Sequence, residues 1–373
     1  MTVTSSPIRW GQTPWTIDFV AEKVPLPSRV DVAIVGAGFS GLSAAANLKR
    51  FDPAKSVAVF EAATIGARSS GHTGGLALAE TASGDLPGLG DVLSGVSAIL
   101  RDLNISCDLE LPGVYELDRT SKNPSSAIHW SDSGELRVGK EVPGGSLDPG
   151  KLVSGLAKAA ANRGVLIFEH SPVENVDFTA PLSLHVGGRV VRADRVLFAT
   201  NSESLELTQL ARRAQPKLTM ALATGPVSDE ALASLGLADG KPCYTTDLPY
   251  LWGRLFHKNR IILGSGLVDV SNWRDLVSID VRTGRALELL DTLENRVRHL
   301  HPALLDIQIT HRWGGPILIT EDWRPVFALH PKSANAVVLG GYSGHGVALS
   351  VYLGSWAAEF LLGRRALPKW RQS

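Results

Sequence analysis

The segment DVAIVGAGFSGLSAAANLKR, residues 31–50, constrains the fold more than any other part of the chain. Its apolar run VAIV is typical of a buried parallel strand. The glycine pattern GxGxxG follows at once, at Gly36, Gly38 and Gly41, and leads into apolar residues at helical spacing. A second apolar strand then ends in Glu61. This order predicts the strand–turn–helix–strand unit that binds a dinucleotide.

Each part of that unit has a physical task. Gly36 permits the tight turn, Gly38 lets the backbone approach a pyrophosphate, and Gly41 lets the helix pack closely on the strand. The helix start offers free N–H groups and a partial positive charge to the phosphates. Glu61 can accept hydrogen bonds from a ribose diol, whereas it would repel a 2′-phosphate. The ligand is therefore an adenine dinucleotide, NAD or FAD.

Two further glycine-rich segments decide between these cofactors. GARSSGHTGG, residues 66–75, follows Glu61 where a nicotinamide-binding unit would normally add another strand and helix. GGYSGHGVALS, residues 340–350, has four glycines in seven residues just before a last helix that we expect from about Val347. Both segments favour a chain that runs back across a flavin, with an ordinary surface loop as the alternative for the first.

Composition limits the class of protein. A chain of 373 residues is long enough for two domains. Basic and acidic residues number 37 each, so the net charge is zero and neither nucleic acid nor an anionic membrane is the expected partner. Cys107 and Cys243 form neither a disulfide framework nor a metal motif, which favours a cytoplasmic protein. We find no signal peptide and no apolar stretch long enough to span a membrane.

Other elements can be read from capping and periodicity. Residues 1–28 are interpreted as an arm that packs on the body through Trp10 and Trp15, with a partly disordered tail as the alternative. A helix is predicted from Pro149 to Asn162 with Asp148 as its cap. Further along, ADRVLFATN, residues 193–201, predicts a buried strand with a polar end, and a long amphipathic helix is expected over about residues 279–299.

These segments together resemble the D-amino-acid-oxidase-like flavoproteins, the group of glycine oxidase, monomeric sarcosine oxidase and γ-glutamylputrescine oxidase. The resemblance covers roughly residues 30 to 365 and rests on the order of VAIVGAGFSGLSAA, VFEA, IGARSSGHTGG, LDPGKLVSGLAKAAANRGV, ADRVLFATN, NRIILGSG and GGYSGHGVALS. It implies an α/β fold, α+β overall, in which a Rossmann-type FAD-binding domain carries an inserted, mostly antiparallel sheet domain for the substrate. The boundaries expected are 1–28 for the arm, 29–85, 146–210 and 310–373 for the FAD-binding domain, and 86–145 and 211–309 for the substrate domain.

The resemblance also implies which residues bind FAD. Val173 would contact the adenine, and the closing glycine turn would meet the pyrimidine end of the flavin. There, a helix start would favour the negative charge of a reduced flavin. The full set of cofactor residues is Gly36, Gly38, Phe39, Ser40, Gly41, Glu61, Ala62, Arg68, Ser69, Ser70, His72, Thr73, Gly74, Val173, Thr200, Gly341, Gly344, His345, Gly346 and Val347.

The chain departs from its relatives at the positions that bind flavin covalently or clamp a carboxylate. Residues 313–316 contain no cysteine, so we expect noncovalent FAD. The carboxylate-binding lysine of sarcosine oxidases is replaced by Ala348, and the arginine of glycine oxidase falls near Ile317. The lysine that assists oxygen in sarcosine oxidase falls near Ile262. We therefore do not expect a simple α-amino acid whose carboxylate is bound by these basic residues.

An aromatic wall suits a cationic or bulky amine instead. The candidate substrate residues are Tyr250, Trp252, Arg254, Trp313 and Trp323. Arg254 could replace the missing carboxylate clamp, while core packing is the alternative for each tryptophan. His72 and His345 are the candidate catalytic residues, because imidazole can take a proton from the amine near neutral pH.

The chemistry expected is hydride transfer from the amine-bearing carbon to flavin N5, followed by hydrolysis of the imine. Oxygen would then be reduced to hydrogen peroxide. A dehydrogenase that passes electrons to a quinone or a carrier protein is the main alternative, and a flavin-binding subunit of a larger complex is another. An NAD-dependent dehydrogenase leaves the second and third glycine-rich segments without a role, and a flavin monooxygenase would need a second dinucleotide fingerprint.

Overall fold

Two large sheets organise residues 9–370, the part of the chain that the computed structural model describes. The strands are β1 Arg29–Val35, β2 Val57–Phe60, β3 Leu76–Leu78, β4 Val114–Asp118, β5 His129–Ser131, β6 Glu135–Val142, β7 Gly144–Ser146, β8 Leu166–Phe168, β9 Val173–Asp177, β10 Leu182–Val186, β11 Arg189–Phe198, β12 Ala214–Thr224, β13 Cys243–Thr245, β14 Trp252–Phe256, β15 Arg260–Asp269, β16 Ile309–Thr320, β17 Val326–His330 and β18 Ser333–Gly340. The helices are α1 Phe39–Phe51, α2 Ser69–His72, α3 Val92–Leu103, α4 Pro149–Ala161, α5 Leu205–Thr208, α6 Asp229–Leu235, α7 Trp273–Leu276, α8 Gly284–Leu300 and α9 Gly346–Leu361, with a 3₁₀ turn at Pro302–Leu304.

The first sheet contains the predicted dinucleotide-binding unit. Its order is β17-β18-β11-β1-β2-β8, and β1 pairs in parallel with β2 on one side and β11 on the other. Val32 and Ile34 face a core formed with α1, α3, α4 and α9, while Ala33 and Val35 face the opposite core with Phe198. The strand is therefore buried on both faces, which explains its continuous apolar run.

The second sheet has the order β16-β12-β15-β14-β13-β4-β6-β5. All of its pairs are antiparallel except β13 with β4. Helix α8 covers one face, where Leu290, Leu293 and Val297 are buried in one core with Leu218 and Met220 of β12. This sheet corresponds to the mostly antiparallel part that the sequence predicts.

The predicted helices exist, and one starts later than expected. Helix α4 has the predicted start, and the Asp148 carboxylate accepts the Lys151 N–H at 2.9 Å. Helix α8 begins at Gly284 rather than near residue 279. The Val281 N–H donates to the Arg9 carbonyl at 3.0 Å, and a turn closes from Thr283 N to Asp280 O at 3.1 Å. Residues 279–283 therefore bond to the arm and form a turn instead of extending the helix.

Two segments lie elsewhere than the expected boundaries place them. Helix α3, inside the segment 86–145 assigned to the substrate domain, buries Val92 and Val96 in the same core as α1 and α9. Strand β16, inside the segment 310–373 assigned to the FAD-binding domain, pairs with β12 in the second sheet. An apolar period shows that a segment is buried but does not show which sheet it joins. The rest of the division stays a prediction.

The described part of the arm packs as expected. The Trp10 indole is fully buried and donates to the Leu276 carbonyl at 2.9 Å, and the Gly314 N–H donates to the Trp10 carbonyl at 2.7 Å. The Trp15 indole donates to the Gly71 carbonyl at 2.8 Å. The arm thereby connects the second sheet to the loop around α2. Residues 1–8 of the predicted arm lie outside the described range.

Within residues 9–370, none of the helices combines the length and the apolar character that a membrane crossing needs.

The arm is expected to contribute strongly to stability. Trp10→Ala removes a fully buried indole and its hydrogen bond, so we expect a loss of about 3–5 kcal/mol in the free energy of unfolding. Val20→Ala is the matched control, because Val20 lies on the same arm with 89% of its side chain exposed. Denaturant unfolding of the two variants measures the difference. Equal midpoints for both variants would contradict the packing role of the arm.

Candidate active site

A cavity of about 620 Å³ lies where segments of the two sheets meet. The turn after β1, the loop around α2, strands β3, β13, β14 and β16, and the start of α9 all contribute to its wall. Fifteen of the predicted site residues line this cavity, and they are Gly38, Phe39, Ser40, Ser69, Ser70, His72, Thr73, Gly74, Tyr250, Trp252, Trp323, Gly344, His345, Gly346 and Val347.

The turn after β1 has no room for side chains. A Cβ on Gly41 would lie 2.0 Å from the Gly36 carbonyl oxygen, and one on Gly36 would lie 2.7 Å from the Ala199 oxygen. Gly36 also has a φ of +103°, which favours glycine. The cap residue of α1 is Gly38, no side chain caps the helix, and no acidic residue occupies its first turn. The Phe39 N–H donates to the Ser70 hydroxyl, and the N–H groups of Ser40 and Gly41 remain available to a phosphate.

Glu61 connects this turn to the next loop. One carboxylate oxygen accepts the Ala37 N–H and the other accepts the Ala63 N–H, each at 2.9 Å. Burial raises the pKa of Glu61, and these two hydrogen bonds oppose the rise. Such bonds fix the carboxylate at the carboxyl ends of β1 and β2, the edge where doubly wound sheets bind their ligands.

The remaining residues predicted for the adenosine half lie near the same edge but outside the cavity wall. Ala62 is exposed beside Glu61. Val173 begins β9 and is buried in the same core as Val35. Thr200 follows β11, and its hydroxyl is buried with no hydrogen-bond partner. A buried hydroxyl is rarely left unpaired, so Thr200 fits a polar group of a bound nucleotide.

Arg68 faces away from the cavity. Its guanidinium Nε lies 2.5 Å from a carboxylate oxygen of Glu203, and both side chains are largely buried. Burial raises the pKa of Glu203 to about 7, Arg68 opposes this rise, and Glu61 adds to it. The Arg68 carbonyl contacts the His72 Nδ1 at 3.0 Å. Arg68 therefore anchors the loop from behind.

Three buried side chains attach the loop around α2 to the rest of the molecule. The Trp15 indole bonds the Gly71 carbonyl, the Trp313 indole bonds the His72 carbonyl at 3.0 Å, and the Arg254 guanidinium bonds the Gly74 carbonyl. On the other side, the Ser70 hydroxyl accepts the Phe39 N–H at 2.9 Å. The loop is thus fixed both to the glycine turn and to the second sheet.

These contacts place two predicted substrate residues, Trp313 and Arg254, behind the loop. Trp313 is fully buried against Trp15, and Arg254 is 3% exposed, so both lie outside the cavity wall. Burial lowers the pKa of Arg254 to about 10, although Asp148 and Asp108 oppose the shift. Alternate residues of a strand share one face, so Trp252 and Arg254 both extend toward Gly74. The sequence could not show that Arg254 reaches the carbonyl behind it.

The closing turn places a second uncapped helix start at the cavity. Gly341 and Gly344 have φ values of +66° and +93°. His345 precedes α9, which has no side-chain cap and no acidic residue in its first turn. The cavity wall therefore contains the N-termini of two helices, α1 and α9. This arrangement fits FAD, which presents a pyrophosphate and a flavin that becomes anionic on reduction.

The two candidate catalytic histidines both line the cavity. Burial lowers the pKa of His72, whose Nδ1 contact with the Arg68 carbonyl leaves Nε2 as the acceptor in the neutral ring. Burial also lowers the pKa of His345, while the Ser343 backbone and Glu80 oppose this shift. Both rings are therefore mainly neutral at pH 7 and can accept a proton.

Sequence reasoning missed several residues of the wall. Asn201 accepts the Gly341 N–H at 2.9 Å and donates to the Ser69 hydroxyl at 3.2 Å, so it joins the α2 loop to the closing turn. The Tyr342 and Ser40 hydroxyls lie 2.5 Å apart. Asn201 had a signal, the polar end of a buried strand. Glu80 and Tyr244, which also line the cavity, had none.

The charge of the wall is distinctive. Among the cavity-lining residues within the described range, Glu80 is the one carboxylate, and none is lysine or arginine. Ile317, at the position expected for a carboxylate clamp, lines the cavity with an apolar side chain. Ala348 and Ile262 are buried outside the wall. This wall offers no cationic partner to a substrate carboxylate.

Comparison with known proteins settles the family. The family model described as FAD dependent oxidoreductase, DAO, matches residues 31–360. The chain belongs to this family. It is an FAD-dependent oxidoreductase, and the choice of FAD over NAD is confirmed.

Individual relatives agree with this assignment. The chain is 28% identical to γ-glutamylputrescine oxidoreductase of Escherichia coli over 89% of its length and 84% of that protein. It is 27% identical to the probable oxidoreductase OrdL of Haemophilus influenzae over 93% of its length and 86% of that protein. Glycine oxidase from Geobacillus kaustophilus has the same fold, with a TM-score of 0.72 at 19% identity over 91% of this chain and 96% of that one. The predicted Rossmann-type fold is thus confirmed.

Glu61 provides a test of the cofactor site. Glu61→Ala leaves the Ala37 and Ala63 N–H groups without their acceptor, so we expect the dissociation constant of FAD to rise about 10- to 100-fold. Glu174→Ala, which removes an exposed carboxylate on β9, is the matched control. Titration of the apoprotein with FAD, followed by flavin fluorescence, measures both constants. Equal affinities in the two variants would exclude Glu61 from the site.

Arg254 can be tested as a positioning residue. Arg254→Met keeps an apolar stem but leaves the Gly74 carbonyl unpaired, so we expect FAD to dissociate about ten-fold faster. The release of flavin fluorescence after dilution measures this rate. The opposite result is an unchanged FAD release with a raised KM confined to carboxylate-bearing substrates. That result would support the prediction that Arg254 binds a substrate carboxylate.

Proposed function

We propose that the protein is an oxidase that uses noncovalent FAD to oxidise the C–N bond of an amine. The bound FAD supplies the hydride acceptor, at N5 of its flavin ring. The substrate loses a hydride from the carbon bearing the amine and a proton from the nitrogen, and the resulting imine is hydrolysed by water. Oxygen takes the two electrons and leaves as hydrogen peroxide.

One observation carries the proposal. The cavity combines two helix starts without a side-chain cap, which suit FAD, with a mainly aromatic and apolar wall. Among its described residues none is lysine or arginine. An α-amino acid would need a cationic partner for its carboxylate, because a buried unpaired charge is costly. An amine without an α-carboxylate needs no cationic partner. The names of γ-glutamylputrescine oxidoreductase and glycine oxidase support an amine or amino-acid substrate for this chain.

The residues of the chain have separate tasks in this reaction. The turn at Gly36–Gly41, Glu61 and Thr200 would bind the adenosine and pyrophosphate, and the loop 69–74 with the start of α9 would bind the flavin. Tyr250 and Trp252 would orient the amine and exclude water, with Trp323 at the mouth, where it is 49% exposed. The Tyr250 hydroxyl already bonds the Gly266 carbonyl at 2.8 Å, and burial raises its pKa to about 12. It therefore acts as a fixed neutral group.

Noncovalent attachment is part of the proposal. Cys107 and Cys243 are unpaired and buried, and neither lines the cavity. Burial raises the pKa of each thiol to about 12, so neither is a ready nucleophile.

A dehydrogenase of the same fold is the second candidate. Ile262 occupies the position at which the sequence comparison places an oxygen-assisting lysine, and it is fully buried. An apolar residue there favours an acceptor other than oxygen, such as a quinone or a carrier protein.

The proposed reaction predicts bleaching of the flavin by an amine without oxygen. The purified yellow protein would receive, one at a time under argon, N-methyl amino acids, D-amino acids, polyamines, acylated polyamines and bulky cyclic amines. We expect the flavin band to fall with amines that lack an α-carboxylate. Admission of air then separates the two candidates, because an oxidase regains its colour within seconds to minutes and releases peroxide. Dithionite reduction without reduction by any amine would exclude amine oxidation.

The role of the histidines can be read from the pH profile of flavin reduction. Because burial lowers both imidazole pKa values, a histidine that accepts the amine proton produces an acid-side fall in rate below its ordinary pKa of 6.5. His72→Asn or His345→Asn removes this fall if that residue is the acceptor, and the other variant keeps it. Stopped-flow reduction between about pH 5 and pH 9 measures it. Profiles unchanged in both variants would mean that the amine loses its proton to water.

A further inference from the structure

We propose that Glu80 and Tyr244 form a subsite for a second cationic group, so that the substrate is a diamine or a longer amine with an ammonium distant from the reacting carbon. This inference rests on the proposed amine oxidation and specifies its substrate class.

The position of Glu80 is the first argument. Glu80 follows β3, on the segment that continues the loop beneath the proposed flavin site, and its side chain lines the cavity. Its hydrogen-bond partner is the Tyr244 hydroxyl, at 3.2 Å, on β13 of the second sheet. The carboxylate therefore lies at the cavity wall between Tyr244 of the second sheet and His345 of the closing turn, whose charged form it favours.

The second argument is that two carboxylates share one hydroxyl proton. The Tyr244 hydroxyl also lies 3.2 Å from a carboxylate oxygen of Glu116, its register neighbour on β4. A phenol has one proton, so it can donate to only one of the two carboxylates at a time. Lys140 pairs with Glu116 at 3.2 Å, whereas no lysine or arginine among residues 9–370 forms an ion pair with Glu80. The cluster therefore retains one uncompensated negative charge that faces the cavity.

The third argument is the chemistry around that charge. Aromatic groups of the same wall, including Tyr250 and Trp252, have ring faces that attract cations and exclude water. No lysine or arginine of the described cavity wall competes for Glu80. An ammonium can donate hydrogen bonds to Glu80 and stays charged there. The amine that reacts must be neutral, whereas the distant ammonium is charged. The two nitrogens of one substrate therefore need different surroundings, and Glu80 suits the charged one.

The experiment compares linear diamines with alkylamines of equal length, from about three to eight carbons. With the flavin reduced by dithionite under argon, no hydride can be transferred, so calorimetry reports binding alone. We expect diamines of a suitable length to bind at least about ten-fold more tightly than the matched alkylamines. Glu80→Gln keeps the size and removes the charge, and we expect it to reduce this advantage about ten-fold.

Glu141→Gln is the control, because Glu141 is a carboxylate on β6 of the second sheet that pairs with Lys241 at 2.8 Å outside the cavity. It should leave the diamine advantage unchanged. Equal binding of diamines and alkylamines, or an advantage that survives in Glu80→Gln, would overturn the subsite. Absence of flavin bleaching by any amine would instead reject the proposed reaction, and the binding measurement would still decide the subsite.

Discussion

The site depends on how the loop at residues 66–75 is fixed in place. Three of its carbonyl groups, those of Gly71, His72 and Gly74, accept hydrogen bonds from three buried side chains. Buried carbonyl groups must be paired, so these bonds determine which face of the loop points toward the cavity. The donors come from the arm and from two strands of the second sheet. The loop at residues 66–75 is thus a joint, because it connects parts of the chain that are distant in sequence.

This joint explains why the wall can be mostly apolar. The cationic and indole groups that reach the loop are used behind it, as Arg254 and Trp313 show, and they are unavailable to the substrate. The cavity is left with aromatic faces, two neutral imidazoles and one carboxylate. Selectivity for the substrate then comes from few polar contacts, and each of them has a large effect in a water-poor space.

The sequence predicted the parts of the fold that depend on local chemistry. The glycine turn, Glu61, the Asp148 cap and the start of α9 follow from spacing and backbone conformation, and the structure has them all. It did not predict which sheet β16 joins, where α8 begins, or that Arg254 lies behind the loop, because those outcomes depend on contacts between distant segments. Glu80 shows the same limit, since a lone acid after a short strand gives no signal until the fold brings Tyr244 to it.

The arm has a consequence for the order in which the protein matures. Trp10 is made early, yet its hydrogen-bond partner Leu276 is 266 residues further along the chain. The loop at residues 66–75 is synthesised early together with Trp15, but its other two anchors, Arg254 and Trp313, are synthesised much later. The loop therefore reaches its final arrangement only after segments more than 150 residues further along the chain have folded against it.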